Sequence, residues 1–275
     1  MHSREMSGSR AGEAVRSMLW TEAFRVKTLL VPYHHAEPLP TLGQAYPADD
    51  AVVVSRGPAG AMVTRLYQLV ADRVAASDEP LAVVSGDCTT SLATVAGLQR
   101  RGLTPGVIWL DAHADFHTPR TTRSGYLGGM ALAMLVGRAG AALTGAIGLR
   151  AIAENVCVLA GARDVEPGER EALEASAVRR LGVEGLATAE LPPTPWYVHL
   201  DVDVVDPSDL PGLRFPAPDG PGLATVGDAL RALAARGAIA ALGVACTLTP
   251  AALADPAILA PIRRLVAESI AERSR

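Results

Sequence analysis

"VIWLDAHADFHTP", Val107 to Pro119, sets the reading of the whole chain. It opens on four apolar residues, Val107, Ile108, Trp109 and Leu110, with no polar residue between them. A half-exposed strand alternates, so an unbroken run of this kind reads as a strand covered on both faces. Asp111, His113, Asp115 and His117 follow at once. Their spacing of two puts Asp111, His113 and Asp115 on one side if the strand geometry persists. Such a cluster would destabilise a core, and a solvated loop has no need of it, so it must gather around something.

Similar apolar runs stand at Val26–Val31, Leu81–Ser85, Val156–Ala160, Tyr197–Leu200 and Ile239–Cys246. Helical patterns lie between them. Met62, Leu66, Leu69, Val70 and Val74 form one stripe, stopped by Pro80. Thr89 or Thr90 can cap a helix that buries Leu92 and Val95 and ends near Gly102. Thr225 can cap another that runs through Arg236 to Gly237, and a last helix carries Ile262, Leu265, Val266 and Ile270. Strands alternating with helices imply an α/β fold, a mostly parallel sheet with helices on both sides. No linker or repeat interrupts the pattern, so residues 21–275 read as one domain and residues 1–20 as a flexible N-terminal arm.

Composition narrows the function. A hydrophobic fraction of 49% supports a large core, and with only 4% aromatics that core must be built from Ala, Val and Leu. A net charge of −4 without a basic block argues against a nucleic-acid partner. No apolar run approaches the ~20 residues that span a bilayer. Cys88, Cys157 and Cys246 are odd in number and far apart, which suits reduced thiols and a cytoplasmic location. Cys157 and Cys246 lie in apolar strands and read as core. His34 and His35 follow the first strand and read as loop residues that could reach the same rim.

Two further clusters sit at strand ends. "HLDVDVVDP", His199 to Pro207, repeats the spacing of two with Asp201 and Asp203 after an apolar run. Carboxylates on one face repel each other, and burial raises that cost; a divalent ion supplies the missing positive charge. "VVSGDCTTS", Val83 to Ser91, reads as a strand, a glycine turn and a capped helix, with Cys88 where a helix N-terminus favours a thiolate. Such a thiolate could ligate a metal or attack an electrophile. Oxygen-rich ligation with one imidazole suits Mn2+ or a similar ion.

"DAHADFHTP", "HLDVDVVDP", "LAGARDVEPGERE" (Leu159–Glu171) and "TTRSGYLGGMALA" (Thr121–Ala133) resemble segments of the ureohydrolase superfamily: arginase, agmatinase and formimidoylglutamase. The resemblance runs from about Val83 to Pro250. It implies a three-layer α-β-α fold around a sheet of about eight mostly parallel strands. It also implies two Mn2+ ions with a bridging hydroxide that attacks a guanidinium or related carbon. Position by position, Asp111, His113, Asp201 and Asp203 match the ligands of one metal. Asp111, Asp115 and Asp201 match three ligands of the other. The implied activity is that of an amidinohydrolase acting on linear amidines. The implied partners are a small-molecule substrate and further copies of the chain, as a trimer or hexamer.

Three places depart from the family pattern. Cys88 stands where the family's "GGDHS" has its histidine ligand, and a softer thiolate there could favour Zn2+ or Fe2+. Gly128 stands where arginases carry a proton-shuttle histidine, so that role would pass to His117 or His199. Thr247 stands where a glutamate faces the guanidinium, and a hydroxyl cannot neutralise that charge. Ser124 and Glu166 match positions that hold the amino-acid end of arginine, and His117 and Tyr126 replace asparagines there. The expected substrate therefore has an amino-acid head and an end less basic than a guanidinium, as in an N-hydroxyguanidine such as Nω-hydroxyarginine, or a formimino or amide group. The alternatives are a non-catalytic or regulatory member with a degenerate metal site, and a metal-free enzyme with Cys88 as nucleophile.

Overall fold

The unbroken apolar runs become the inner strands of a single sheet in the computed structural model, which describes residues 27–269. The strands are β1 (Lys27–Val31), β2 (Tyr33–His34), β3 (Glu37–Pro38), β4 (Asp50–Ala51), β5 (Leu81–Ser85), β6 (Gly106–Leu110), β7 (Cys157–Ala160), β8 (Arg179–Leu181), β9 (Trp196–Asp201) and β10 (Ile239–Ala245). Eight of them form a parallel sheet in the order β4-β1-β5-β10-β9-β6-β7-β8, and β2 pairs with β3 in a small antiparallel hairpin. The expected arm at residues 1–20, Val26 of the first expected strand and Ile270 of the last expected helix lie outside the described residues.

Alternation along each strand divides the core in two. Leu29, Val83, Trp109, Leu159 and Tyr197 point to one face, where they meet α1 (Ala59–Ala75) and α2 (Thr90–Arg100). Leu30, Val84, Ile108, Leu110, Val198, Leu200 and Val244 point to the other face, against α4 (Leu223–Arg236) and α5 (Pro256–Ser269). A fifth helix of eight or more residues among those described, α3 (Pro167–Glu174), follows β7. The layers are helix, sheet, helix, the arrangement that buries a parallel sheet on both sides.

Two expected caps differ. α4 begins at Leu223 after Gly222, two residues before Thr225. Thr89 precedes α2 but makes no side-chain cap, because its backbone is already helical (φ −71°, ψ −16°). Its hydroxyl instead bonds the Asp87 carboxylate and meets the Tyr67 hydroxyl, while Asp87 Oδ1 accepts the Thr89 N–H at 2.8 Å. Four strands lie outside the expected set. β2 and β3 place His34 in a hairpin strand and not in a loop. β4 and β8 are short edges with exposed residues such as Asp50 and Arg179, and they carry no apolar run to reveal them.

Candidate metal centre and cleft

The carboxyl ends of β5, β6, β9 and β10 lie side by side in the middle of the sheet, where ligands of open α/β sheets bind. Each end delivers a polar group. β5 runs into Gly86, Asp87 and Cys88; β6 into Asp111; β9 ends on Asp201; β10 leads to Cys246 and Thr247. Gly86 permits the turn after β5, because a Cβ there would stand 2.7 Å from the Tyr33 carbonyl oxygen.

Strand geometry stops at Leu110. The segment that follows turns, and Asp115 adopts a left-handed φ of 50°, a conformation Asp tolerates better than most residues. Asp115 therefore does not continue the one-sided row expected from the spacing. Asp203 likewise sits on the 3-10 turn Val202–Val204, with its N–H donating to Asp201 Oδ1 at 3.0 Å. Further hydrogen bonds fix the carboxylates. Asp111 Oδ1 accepts the His113 N–H at 2.7 Å, and its Oδ2 accepts the Trp109 indole N–H at 3.0 Å. Thr247 Oγ1 donates to Asp201 Oδ1 at 2.5 Å, so the hydroxyl expected to face substrate is committed to a carboxylate.

Among the described residues there are two groups in each of which the donor atoms all lie within 4.8 Å of one another. One comprises Cys88, Asp111, His199 and Asp201; the other comprises Asp111, His113 and Asp203. Asp115 belongs to neither, although it lines the same cleft. Burial, then the charges of Asp111 and Asp201, push its carboxyl well above the usual range, and its Oδ2 is buried without a hydrogen-bond partner. Burial and the Asp203 charge do the same to Asp201. His113 is half-buried, which lowers its pKa, yet Asp111 and Asp203 hold the imidazolium up to about 12; its Nδ1 lies 3.2 Å from Asp203 Oδ2. Buried carboxylates this close, with one imidazole between them and orphaned donor atoms beside them, fit divalent cations. Without a cation, Cys88 is not the thiolate that its helix N-terminus suggests. Burial and the charges of Asp115, Asp201 and Asp111 push the thiol up, and Sγ donates to Asp201 Oδ2 at 2.9 Å.

His199 departs from its expected role in proton transfer. It is buried, its ring stacks on Trp109 at 3.8 Å, and it does not line the cleft. The cleft itself has a volume of about 610 Å³, suited to a small molecule. His113, Asp115, Asp201 and Asp203 line its inner end. His117, Ser124, Tyr126, Glu166 and Thr247 line it as well, as do Asp164, Glu169, Arg214 and Phe215, which the sequence pattern did not single out. His117 Nε2 lies 3.3 Å from Glu166 and 3.6 Å from Glu169. Glu169 anchors the motif by accepting the Phe116 N–H at 2.9 Å from within the first turn of α3. Arg214 is the one Lys or Arg among the described residues that line it. His34 and His35 pack against the Tyr126 ring, at 5.8 and 5.4 Å between centroids, and so belong to the same rim. Tyr126 also fills the space beside Gly128: a Cβ on that glycine would stand 2.3 Å from the phenol ring.

Comparison with known proteins gives three findings. The sequence profile of the arginase family matches residues 7–255. The chain is 37% identical over 163 residues to the N(omega)-hydroxy-L-arginine amidinohydrolase of Streptomyces lavendulae, covering 55% of this chain and 57% of that protein. It is 35% identical over 171 residues to the arginase of Brevibacillus brevis, covering 57% of each. The chain thus spans about half the length of the relatives it matches. The crystal structure of arginase from Bacillus cereus superposes with a TM-score of 0.76 at 19% identity, over 91% of this chain and 99% of that one, a likeness of fold. No helix among the described residues is long and apolar enough to cross a membrane.

Proposed function

The chain belongs to the arginase family, and from that premise we propose that it is a metal-dependent hydrolase of a C–N bond in a guanidino compound with an amino-acid head. One observation carries the reading: buried aspartates converge at the inner end of a small-molecule cleft whose outer end holds Glu166, His117 and Arg214. Asp111, Asp201, Asp203 and His113 would hold the ions, with Cys88 beside them. A pair of dications there would neutralise the carboxylates and lower the pKa of water enough to supply hydroxide near neutral pH. Mn2+ is the first choice for the His113 group, whose donors are two carboxylates and one imidazole.

The chain's own groups orient the substrate. Glu166 attracts an α-ammonium and Arg214 pairs with an α-carboxylate, which aims the guanidino end inward. The Tyr126 and Phe215 rings, 5.3 Å apart, wall the passage and exclude water from the alkyl part of the substrate. His117 Nε2 faces the cleft beside Glu166 and can carry a proton from the departing amine to the rim, in place of the side chain that Gly128 lacks. Among the described residues, those at the inner end include no glutamate to face a strongly basic guanidinium, and Thr247 is turned to Asp201. This favours an N-hydroxyguanidine, whose basicity is lower, and the relative from Streptomyces lavendulae bears a name of that kind.

A substrate panel tests the proposal. Mn2+-loaded protein is offered L-arginine, agmatine and Nω-hydroxy-L-arginine, with urea and hydroxyurea measured. Hydroxyurea release should be the fastest. Turnover of none of the three would overturn the proposal.

A further inference from the structure

Behind the inner end of the cleft, buried among the carboxylates, lies a donor that neither the expected ligand set nor the proposed reaction uses. On β9 the period of two places Tyr197, His199 and Asp201 on the same face of the sheet. The strand therefore presents an imidazole to the site two residues before its carboxylate. A ring nitrogen of His199 stands within 4.8 Å of donor atoms of Cys88, Asp111 and Asp201. Its Nε2 is buried and has no hydrogen-bond partner, a costly state for a polar atom unless a ligand completes it.

The surroundings prepare that nitrogen for a metal. His199 Nδ1 lies 2.9 Å from Ser91 Oγ, which accepts the Tyr197 hydroxyl at 2.7 Å. A hydroxyl oxygen has two lone pairs, so Ser91 can accept the Nδ1–H as well, and that tautomer leaves the Nε2 lone pair free. The stack on Trp109 fixes the plane of the ring. Metal-bound imidazoles are oriented in this way by a partner on their second nitrogen. Trp109 in turn donates to Asp111 Oδ2, so one indole orients two members of the group.

We propose that His199 joins Cys88, Asp111 and Asp201 as a direct ligand, making a Cys-His-Asp-Asp site that takes Zn2+ in preference to Mn2+. The inference rests on the metal-dependent reading given above. Thiolate and imidazole are the donors zinc prefers, and four protein ligands close its coordination shell. The neighbouring group of Asp111, His113 and Asp203 offers three donors, of which His113 and Asp203 line the cleft, so an ion held there would keep room for water or substrate. On binding, the Cys88 S–H bond breaks, its proton leaves to solvent, and the sulfur electron pair goes to the metal. Cys88, Asp111, Asp201 and Asp203 then set four negative charges against two dications, with Asp115 outside both donor groups.

Zinc-edge X-ray absorption on metal-stripped, anaerobically reloaded protein with one equivalent of Zn2+ tests the site without a variant. The expected shell has one sulfur at about 2.3 Å and an imidazole contribution. A shell of nitrogen and oxygen alone overturns the proposal. His199→Asn should weaken Zn2+ by more than the ~100-fold upper end of an outer-shell loss, and any smaller loss overturns the assignment of His199 as a ligand. Cys88→Ser should abolish the sulfur-to-metal charge-transfer band of the Co2+ form. None of these readouts depends on turnover. A zinc–sulfur site without guanidino hydrolysis would sink the substrate reading alone, and hydrolysis with nitrogen and oxygen ligation alone would sink this one.

Discussion

Stripping the metal should invert the way stability depends on pH. Burial and the Asp111 charge push the Asp203 carboxyl from 3.8 up to about 6. Between those values the folded chain keeps a proton that the unfolded chain has released, so metal-free stability falls as pH rises through that window. The gap of about 2 pH units corresponds to about 3 kcal/mol lost by pH ~7. Asp115 and Asp201, pushed up chiefly by burial, act in the same direction. His113, held up to about 12, adds a further loss above its unfolded value of 6.5. Asp111 is shifted the other way, by its bonds to His113 against the cost of burial, and its contribution is already complete above the ordinary carboxylate range. Metal binding has the opposite slope, because the donors must give up their protons. At 100 times its Kd each ion adds about 2.7 kcal/mol, or roughly 5–11 °C in Tm at 2–4 °C per kcal/mol. Thermal melts from pH ~5 to ~8, with chelator and with Mn2+ or Zn2+, should show a gap that widens as pH rises. A gap that narrows, or no gap at pH ~7, would refute the electrostatic reasoning.

Three substitutions separate the roles of the surrounding groups. Tyr126→Phe removes a buried hydroxyl that has no partner; it should raise Tm, by relief of about 1 kcal/mol or more, while slowing turnover in steady-state assays. Arg214→Ala should raise KM for an amino-acid-headed substrate by about 10-fold, the low end of a charge-assisted bond at an exposed site, and leave the decarboxylated analogue agmatine unchanged. Arg163 donates to the carbonyl oxygens of Gly161, Asp203, Val204, Ala217 and Pro218, tying the Asp203 turn to the loop beyond it. Arg163→Ala should destabilise the fold by about 2–4 kcal/mol in denaturant melts, since several carbonyls lose their donor together.

What could be read from the sequence followed the strength of the local signal. The inner strands announce themselves because burial on both faces requires an unbroken apolar run, as at Val107–Leu110 and Leu81–Ser85. The edge strands β4 and β8 satisfy no such requirement and leave no pattern. At the site, Asp111, Asp201 and Asp203 stand out by spacing, but a spacing of two does not specify the turn at Asp115, whose left-handed backbone moves it out of the row. His199 was visible as a residue and missed as a donor; its position two before Asp201 on a strand was the available signal. Arg214 and Phe215 lie in an irregular loop without periodicity, and only the folded chain brings them to the cleft.

The most direct test is anomalous diffraction from crystals of the metal-loaded protein, with data collected on both sides of the absorption edge. Two peaks are expected at the inner end of the cleft, one among Cys88, Asp111, His199 and Asp201 and one among Asp111, His113 and Asp203. Density for water alone at both positions after loading would contradict the metal centre on which the proposed chemistry depends.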